Sequence, residues 1–189
     1  MTASEILFVS ATAEEAAHLP PGSDVLVTGV GTLNASIALG RRLAKGLPGK
    51  LVNVGTAGAL IDGYAGVYEI TAALQHDFSD EMISVMTGRP YPNLVEIPAL
   101  TGLPKATLAT GDAFISDSQT RARLAKRAEL VDMEGYAVAR VAAAYGVPVT
   151  LLKQVSDSAD EDASLTWFDA VDRGARELAQ AVAAVTSGN

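Results

Sequence analysis

Seven short apolar runs, EILFVS, DVLVTGV, KLVNVGT, GVYEITAAL, KATLAT, ELVDM and VPVTLLKQVS, recur along the chain and all need burial. Most are continuous rather than alternating, which is the pattern of strands covered on both faces. The segments between them supply the cover. NASIALGRRLAKGL, SQTRARLAKRA, GYAVARVAAAYG and LTWFDAVDRGARELAQAVAAV carry apolar residues at helical spacing, the last with Leu165, Phe168, Val171, Ala175 and Leu178 on one side. Strands that need two apolar faces, alternating with helices that provide them, predict an α/β fold with a central twisted sheet, mixed or mostly parallel, flanked by helices. With 189 residues, 49% of them hydrophobic, the chain can bury one substantial core, and no window reads as a linker. A single domain over residues 1–189 is the expectation.

Composition narrows the chemistry. The chain has no cysteine, so disulfide frameworks, thiol catalysis and cysteine–metal sites are excluded. Two histidines far apart in sequence do not make a histidine-rich metal site, and no metal or cofactor is expected. A formal charge of −8 disfavours general affinity for nucleic acid or anionic membranes. The apolar runs are too short to span a bilayer, and MTASEILFVSATAEE lacks a basic region ahead of its apolar stretch. These features predict a soluble, cytoplasmic protein acting on a small molecule.

In sheets of this kind ligands gather where strands end and helices begin, because helix N-termini offer free backbone N–H groups there. Polar clusters stand at six such ends: ATAEE (11–15), TGVGT (28–32), NVGTAGA (53–59), TGDAFISD (110–117), VDMEG (131–135) and QVSDSAD (154–160). Each also has a structural reading. Thr12 and Glu15 fit a Ser/Thr-x-x-Glu capping box. TGVGT fits a tight turn, and as a dinucleotide fingerprint it lacks its third glycine, Asn34 standing there. Gly111-Asp112 fits a turn, Glu134 fits the N-terminus of a helix over 135–145, and Asp157 or Asp160 fits a cap of the last helix.

Seven motifs in order carry more than any one of them: A-T-A-E-E, T-G-V-G, N-V-G-T-A-G, the His-Asp pair at 76 and 77, T-G-D-A-F-I, V-D-M-E-G and V-S-D-S-A-D. From about Ile6 to the C-terminal helix the chain resembles the nucleoside phosphorylase and nucleosidase superfamily, and within it the methylthioadenosine/S-adenosylhomocysteine nucleosidases and futalosine hydrolases. It is shorter than is usual for that family, chiefly between Asp77 and Leu108.

The resemblance implies a site. Met133 and Glu134 match the pair that clasps the ribose, the Glu134 carboxylate accepting from the sugar hydroxyls, while Asp132 reads as a local structural residue. Asp157 matches the acid that protonates the leaving purine, with Ser156 beside it. Glu15 matches the base that activates water, with Glu14 as its neighbouring alternative. Thr56 matches the residue beside that water, Phe114 the aromatic that stacks on the base, and Ile115 a source of backbone groups at the base edge. The implied activity is hydrolysis of the N-glycosidic bond of an adenosine-type nucleoside, and the implied assembly is a homodimer.

Three readings compete. A phosphorolytic enzyme of this superfamily uses an arginine two residues before the G-[ST] of the third-strand motif, where this chain has Asn53, and a further arginine near the N-terminus, where nothing precedes Arg41. A binding protein without catalysis keeps Phe114 and Glu134 but loses Glu15 or Asp157, and both are present. Hydrolysis is therefore favoured over both. Methylthioadenosine, S-adenosylhomocysteine and futalosine-type nucleosides all offer N7, so the acid does not separate them. The 5′ substituent is expected against MISVMTGRPYPNLVEIP, where Met82, Met86 and Tyr91 supply an apolar surface, equally suited to a core or to a second subunit.

Overall fold

The computed structural model describes residues 5–91, 93–161 and 163–186, with 164–169 and 184–186 described as backbone. The elements are β1 (Ile6–Ser10), β2 (Asp24–Val27), α1 (Thr32–Leu43), β3 (Lys50–Ala59), β4 (Val67–Gln75), α2 (Asp80–Thr87), β5 (Leu94–Glu96), β6 (Lys105–Thr110), α3 (Ser118–Leu124), β7 (Leu130–Asp132), α4 (Gly135–Tyr145), β8 (Val149–Asp157) and α5 (Ala163–Thr186). The fold is α/β with a mixed sheet in the order β2-β1-β3-β7-β6-β4-β5. Strand β8 lies off this path and pairs with both β3, in parallel, and β4, antiparallel. The pairings β3–β8–β4–β6–β7–β3 therefore close a ring. Strands β1 and β2 extend from it through β3, and β5 through β4.

The continuous apolar runs are explained by cover on both faces. Leu7 and Val9 of β1 and Leu51 of β3 pack with Ala35, Leu39 and Leu43 of α1 and with Val138 and Ala142 of α4. The residues next to them in sequence, Phe8 and Val52, pack with Leu152 of β8 and with Leu178 and Val182 of α5. In α5 Val171, Ala175 and Leu178 are buried as their spacing predicts, while the side chains of Leu165 and Phe168 fall outside the described residues. Leu39 is fully buried, so Leu39→Ala would cost about 2–5 kcal/mol in lost transfer energy and cavity. No helix among the described residues is long and apolar enough to cross a membrane.

Two elements have no counterpart in the sequence reading. α2 buries none of its residues, so it carries no core-facing stripe for periodicity to detect. β5 is a three-residue strand on the edge of β4, too short for a pattern.

Candidate active site

The segments that follow β1, β6 and β7, the end of β8 and the middle of β3 meet around one cavity of about 250 Å³. Thr12 and Glu15 enter it from the turn after β1, Thr56, Ala57 and Gly58 from β3, Phe114 and Ile115 from the loop after β6, Met133 and Glu134 from the β7–α4 junction, and Ser156 and Asp157 from β8.

Glu15 is buried, at 5% exposure, and lines the cavity, while Glu14 is exposed and does not. One carboxylate oxygen accepts from the Thr56 backbone N–H at 2.7 Å and its hydroxyl at 2.9 Å. The other accepts from the Thr12 N–H and the Ser10 hydroxyl, each at 3.3 Å. The Glu15 N–H donates to the Thr12 hydroxyl, so the reciprocal capping-box bonds do form. They brace a turn rather than a long helix, and leave Glu15 clamped to the middle of β3. Gly55 makes this approach possible: a Cβ there would lie 3.3 Å from the Glu15 carboxylate and 3.1 Å from Nζ of Lys153.

Asp132 and Glu134, two residues apart, serve different partners. Asp132 accepts from the Thr110 hydroxyl at 2.6 Å, the Gly135 N–H at 2.9 Å and the Lys153 ammonium at 2.8 Å, so it caps α4 and ties β6, β7 and β8 together. Glu134 makes no cap bond to α4. It reaches instead to α1, accepting from the Gly31 N–H at 2.8 Å. Burial, then the Asp132 charge beside it, pushes the Glu134 carboxyl up to about 7, against the opposing pull of Lys153 and the Gly31 N–H. Burial works against the charge on Lys153 too, but Asp132, Glu134 and Glu15 outweigh it and raise the ammonium above its ordinary value.

Asp157 stands at the end of β8, where the register with β3 slips between Ala57 and Gly58 so that Gly58 faces Asp157 rather than Ser156. This bulge lets two consecutive side chains, Ser156 and Asp157, line the same cavity, which a regular strand would send to opposite faces. The Ser156 hydroxyl donates to Asp157 at 2.7 Å and the Ala159 N–H donates to its other oxygen at 2.8 Å. Ala159 adopts φ 51°, a left-handed conformation that costs a non-glycine residue about 1–3 kcal/mol and that turns the chain sharply behind the acid. Gly58 gives Asp157 its room, since a Cβ there would lie 2.9 Å from its carboxylate.

Phe114 is 47% exposed at the mouth of the cavity, while Ile115 is buried beneath it. All seven residues selected from the sequence, Glu15, Thr56, Phe114, Ile115, Met133, Glu134 and Asp157, line the cavity. The sequence reading gave no role to Lys153, Ser10, Thr110 or Gly31, although Thr110 and Gly31 stand in the motifs TGDAFISD and TGVGT. Lys153 left a signal: a lone lysine inside the apolar strand VPVTLLKQVS must find a buried counter-charge. Among the described residues no group of three or more His, Asp or Glu side chains is arranged to hold a metal ion.

Known proteins share this arrangement of elements. The chain matches the phosphorylase superfamily over residues 24–187. It is 31% identical to the 5′-methylthioadenosine/S-adenosylhomocysteine nucleosidase of Shewanella baltica, over 77% of this chain and 72% of that one. The enzyme of that name from Treponema pallidum is also 31% identical, over 80% and 72% of the two chains. The 5′-methylthioadenosine/S-adenosylhomocysteine nucleosidase of Helicobacter pylori has the same fold, with a TM-score of 0.85 at 20% identity over 100% of both chains. So does a futalosine hydrolase mutant from Helicobacter pylori, with a TM-score of 0.86 at 18% identity over 98% of this chain and 100% of that one. The chain belongs to the phosphorylase superfamily and, within it, to the family of 5′-methylthioadenosine/S-adenosylhomocysteine nucleosidases. Glu15 precedes the segment matched to the superfamily, so its place in the site rests on the geometry above.

Proposed function

We propose that this protein hydrolyses the N-glycosidic bond of an adenosine-type nucleoside, such as methylthioadenosine or S-adenosylhomocysteine, and releases the free purine. The observation that carries this reading is the pair of carboxylates, Glu15 and Asp157, lining one cavity together with Glu134. Glu15, fixed on Thr56, takes a proton from a water that adds to the anomeric carbon. As the bond from that carbon to the purine breaks, its electron pair moves onto the base, and Asp157 delivers a proton to N7. Glu134 and Met133 clasp the ribose, the carboxylate favouring the positive charge that develops on the sugar. Phe114 stacks on the purine and Ile115 meets its edge through its backbone. Lys153 supplies buried positive charge beside three carboxylates.

Asn53 separates this reading from phosphorolysis. At 2% exposure its amide nitrogen donates to the Val9 carbonyl at 2.9 Å, which leaves a buried, neutral amide where a phosphorylase of this superfamily has an arginine. The deciding experiment is a panel of methylthioadenosine, S-adenosylhomocysteine and futalosine assayed for released base with and without phosphate. Base and free sugar at a rate indifferent to phosphate support the proposal, and ribose 1-phosphate as the main product refutes it.

The reading includes a homodimer in the cytoplasm. The cavity is smaller than most ligand clefts, which run roughly 300–1,000 Å³, and its rim is apolar and open. Val30 lies on this rim at 48% exposure, and Leu33 and Ile37 continue its line along α1. Met82, Val85 and Met86 expose a second apolar face on α2. A second copy laid on these surfaces would enclose the 5′ substituent. Leu33→Asp is expected to shift sedimentation mass from dimer to monomer and to weaken nucleoside binding.

A further inference from the structure

We infer that Asp112 is a positioning residue that couples the loop carrying Phe114 to the ribose-clasping Glu134. Helix α1 begins without a cap of its own, because Gly31 precedes it at φ 99°, a conformation that favours glycine, and has no side chain. Its first two amides are taken by carboxylates from distant elements. The Gly31 N–H donates to Glu134 at 2.8 Å. The next, on Thr32, donates to Asp112 at 2.6 Å, and the Thr32 hydroxyl donates to the second Asp112 oxygen at 2.8 Å. Asp112 is itself anchored from behind: its N–H donates to Asp77 at 2.9 Å, and Asp77 accepts from the Gln75 amide at 2.9 Å. The fit is close, since a Cβ on Gly31 would lie 3.1 Å from the Asp112 carboxylate.

Asp112 stands two residues before Phe114, so the base-stacking loop and the ribose carboxylate are fastened to adjacent residues of one helix terminus. If the loop drifts, the Thr32 clasp moves, and the Gly31 amide that orients Glu134 moves with it. A turn residue without this linkage would shape the loop alone.

The inference rests on the nucleosidase reading, and a binding cycle tests it. The probe is an adenine C-nucleoside, whose carbon–carbon glycosidic bond resists hydrolysis, titrated calorimetrically into the wild type, Asp112→Ala, Glu134→Gln and the double variant, with melting temperatures recorded. Losing hydrogen bonds to a charged group is expected to weaken Kd about tenfold in Asp112→Ala, but less than about twofold when Glu134 is already Gln. Thr32→Val keeps the amide and removes the hydroxyl, so it should show a smaller loss with the same dependence on Glu134 and a nearly unchanged melting temperature. If Asp112→Ala does not fold, Thr32→Val in both backgrounds decides. Equal losses with and without Glu134, or a lowered melting temperature with unchanged Kd, overturn the coupling. A wild type that neither binds the C-nucleoside nor releases base from nucleosides overturns the nucleosidase reading, and this inference with it.

Discussion

The Lys153 ammonium lies 2.8 Å from the Asp132 carboxylate, and the two side chains are only 2% and 1% exposed. Removing Lys153 would leave the Asp132 carboxylate without its counter-charge in a region that water does not reach. Lys153→Met is therefore expected to destabilise the fold by about 3–5 kcal/mol, most of it the penalty of a buried, unpaired Asp132. Urea unfolding of the two proteins checks this. A loss below about 1 kcal/mol would mean that solvent reaches the pair.

Glu134 makes stability depend on pH in a direction unusual for a carboxylate. Below its ordinary value of 4.5 both the folded and the unfolded chain hold the proton. Between there and about 7 the unfolded chain releases it while the fold retains it, so stability falls as pH rises through that window and then levels off. Glu134→Gln should flatten this slope and be more stable than wild type above pH of about 7, while its turnover drops sharply. Chemical denaturation across the window, set beside kcat/KM, distinguishes the two effects. A variant equally active but less stable would return Glu134 to a purely structural role.

Gly55, having no side chain, leaves room for both Lys153 and Glu15 to approach the strand. In Gly55→Ala the new methyl would press on both, at 3.1 and 3.3 Å, and the clamp between Glu15 and Thr56 must loosen. Activity is expected to fall by about tenfold or more, as for other small displacements of a catalytic group. Melting should change little by comparison, and an unaffected kcat would show that Glu15 tolerates the shift.

Glu15 and Asp157 separate by leaving group. Glu15→Gln should lose about 10²- to 10⁴-fold in turnover on every substrate while still binding a C-nucleoside. Asp157→Asn should be most damaging with natural purines and far less so with a nitrophenyl riboside, whose leaving group departs without a proton. Rates on the two substrate types provide the measurement. Equal losses on both would remove Asp157 from the acid's role.

The fold was legible because the apolar runs are continuous: Leu7 and Val9 face one helical layer and Phe8 the other, and both sets announce themselves in EILFVS. The cavity residues were legible as motifs at strand ends. Their partners were not. Glu15 depends on Thr56, Glu134 on Gly31 and Asp132 on Lys153, and each pairing joins segments distant in sequence that only the sheet brings together. The capping-box bonds of Glu15 and its bonds to Thr56 use the same carboxylate, one oxygen each. The segment 77–104 stayed opaque for the opposite reason, because α2 buries nothing and so leaves no imprint of packing on its sequence.

The ring β3–β8–β4–β6–β7 has a consequence for how such a chain can vary. Each of its strands is registered against at least two neighbours, so adding or deleting one residue in any of them, unless a bulge absorbs it as at Ser156, would break alignment on both sides and rotate alternate side chains away from the cavity. The excursion from β4 to β6, holding α2 and β5, is fastened to the ring chiefly along one edge of β4. It can lengthen or shorten while Thr56, Glu134 and Asp157 keep their places. Length variation in a family built this way can gather in that excursion while the residues that line the cavity stay in register.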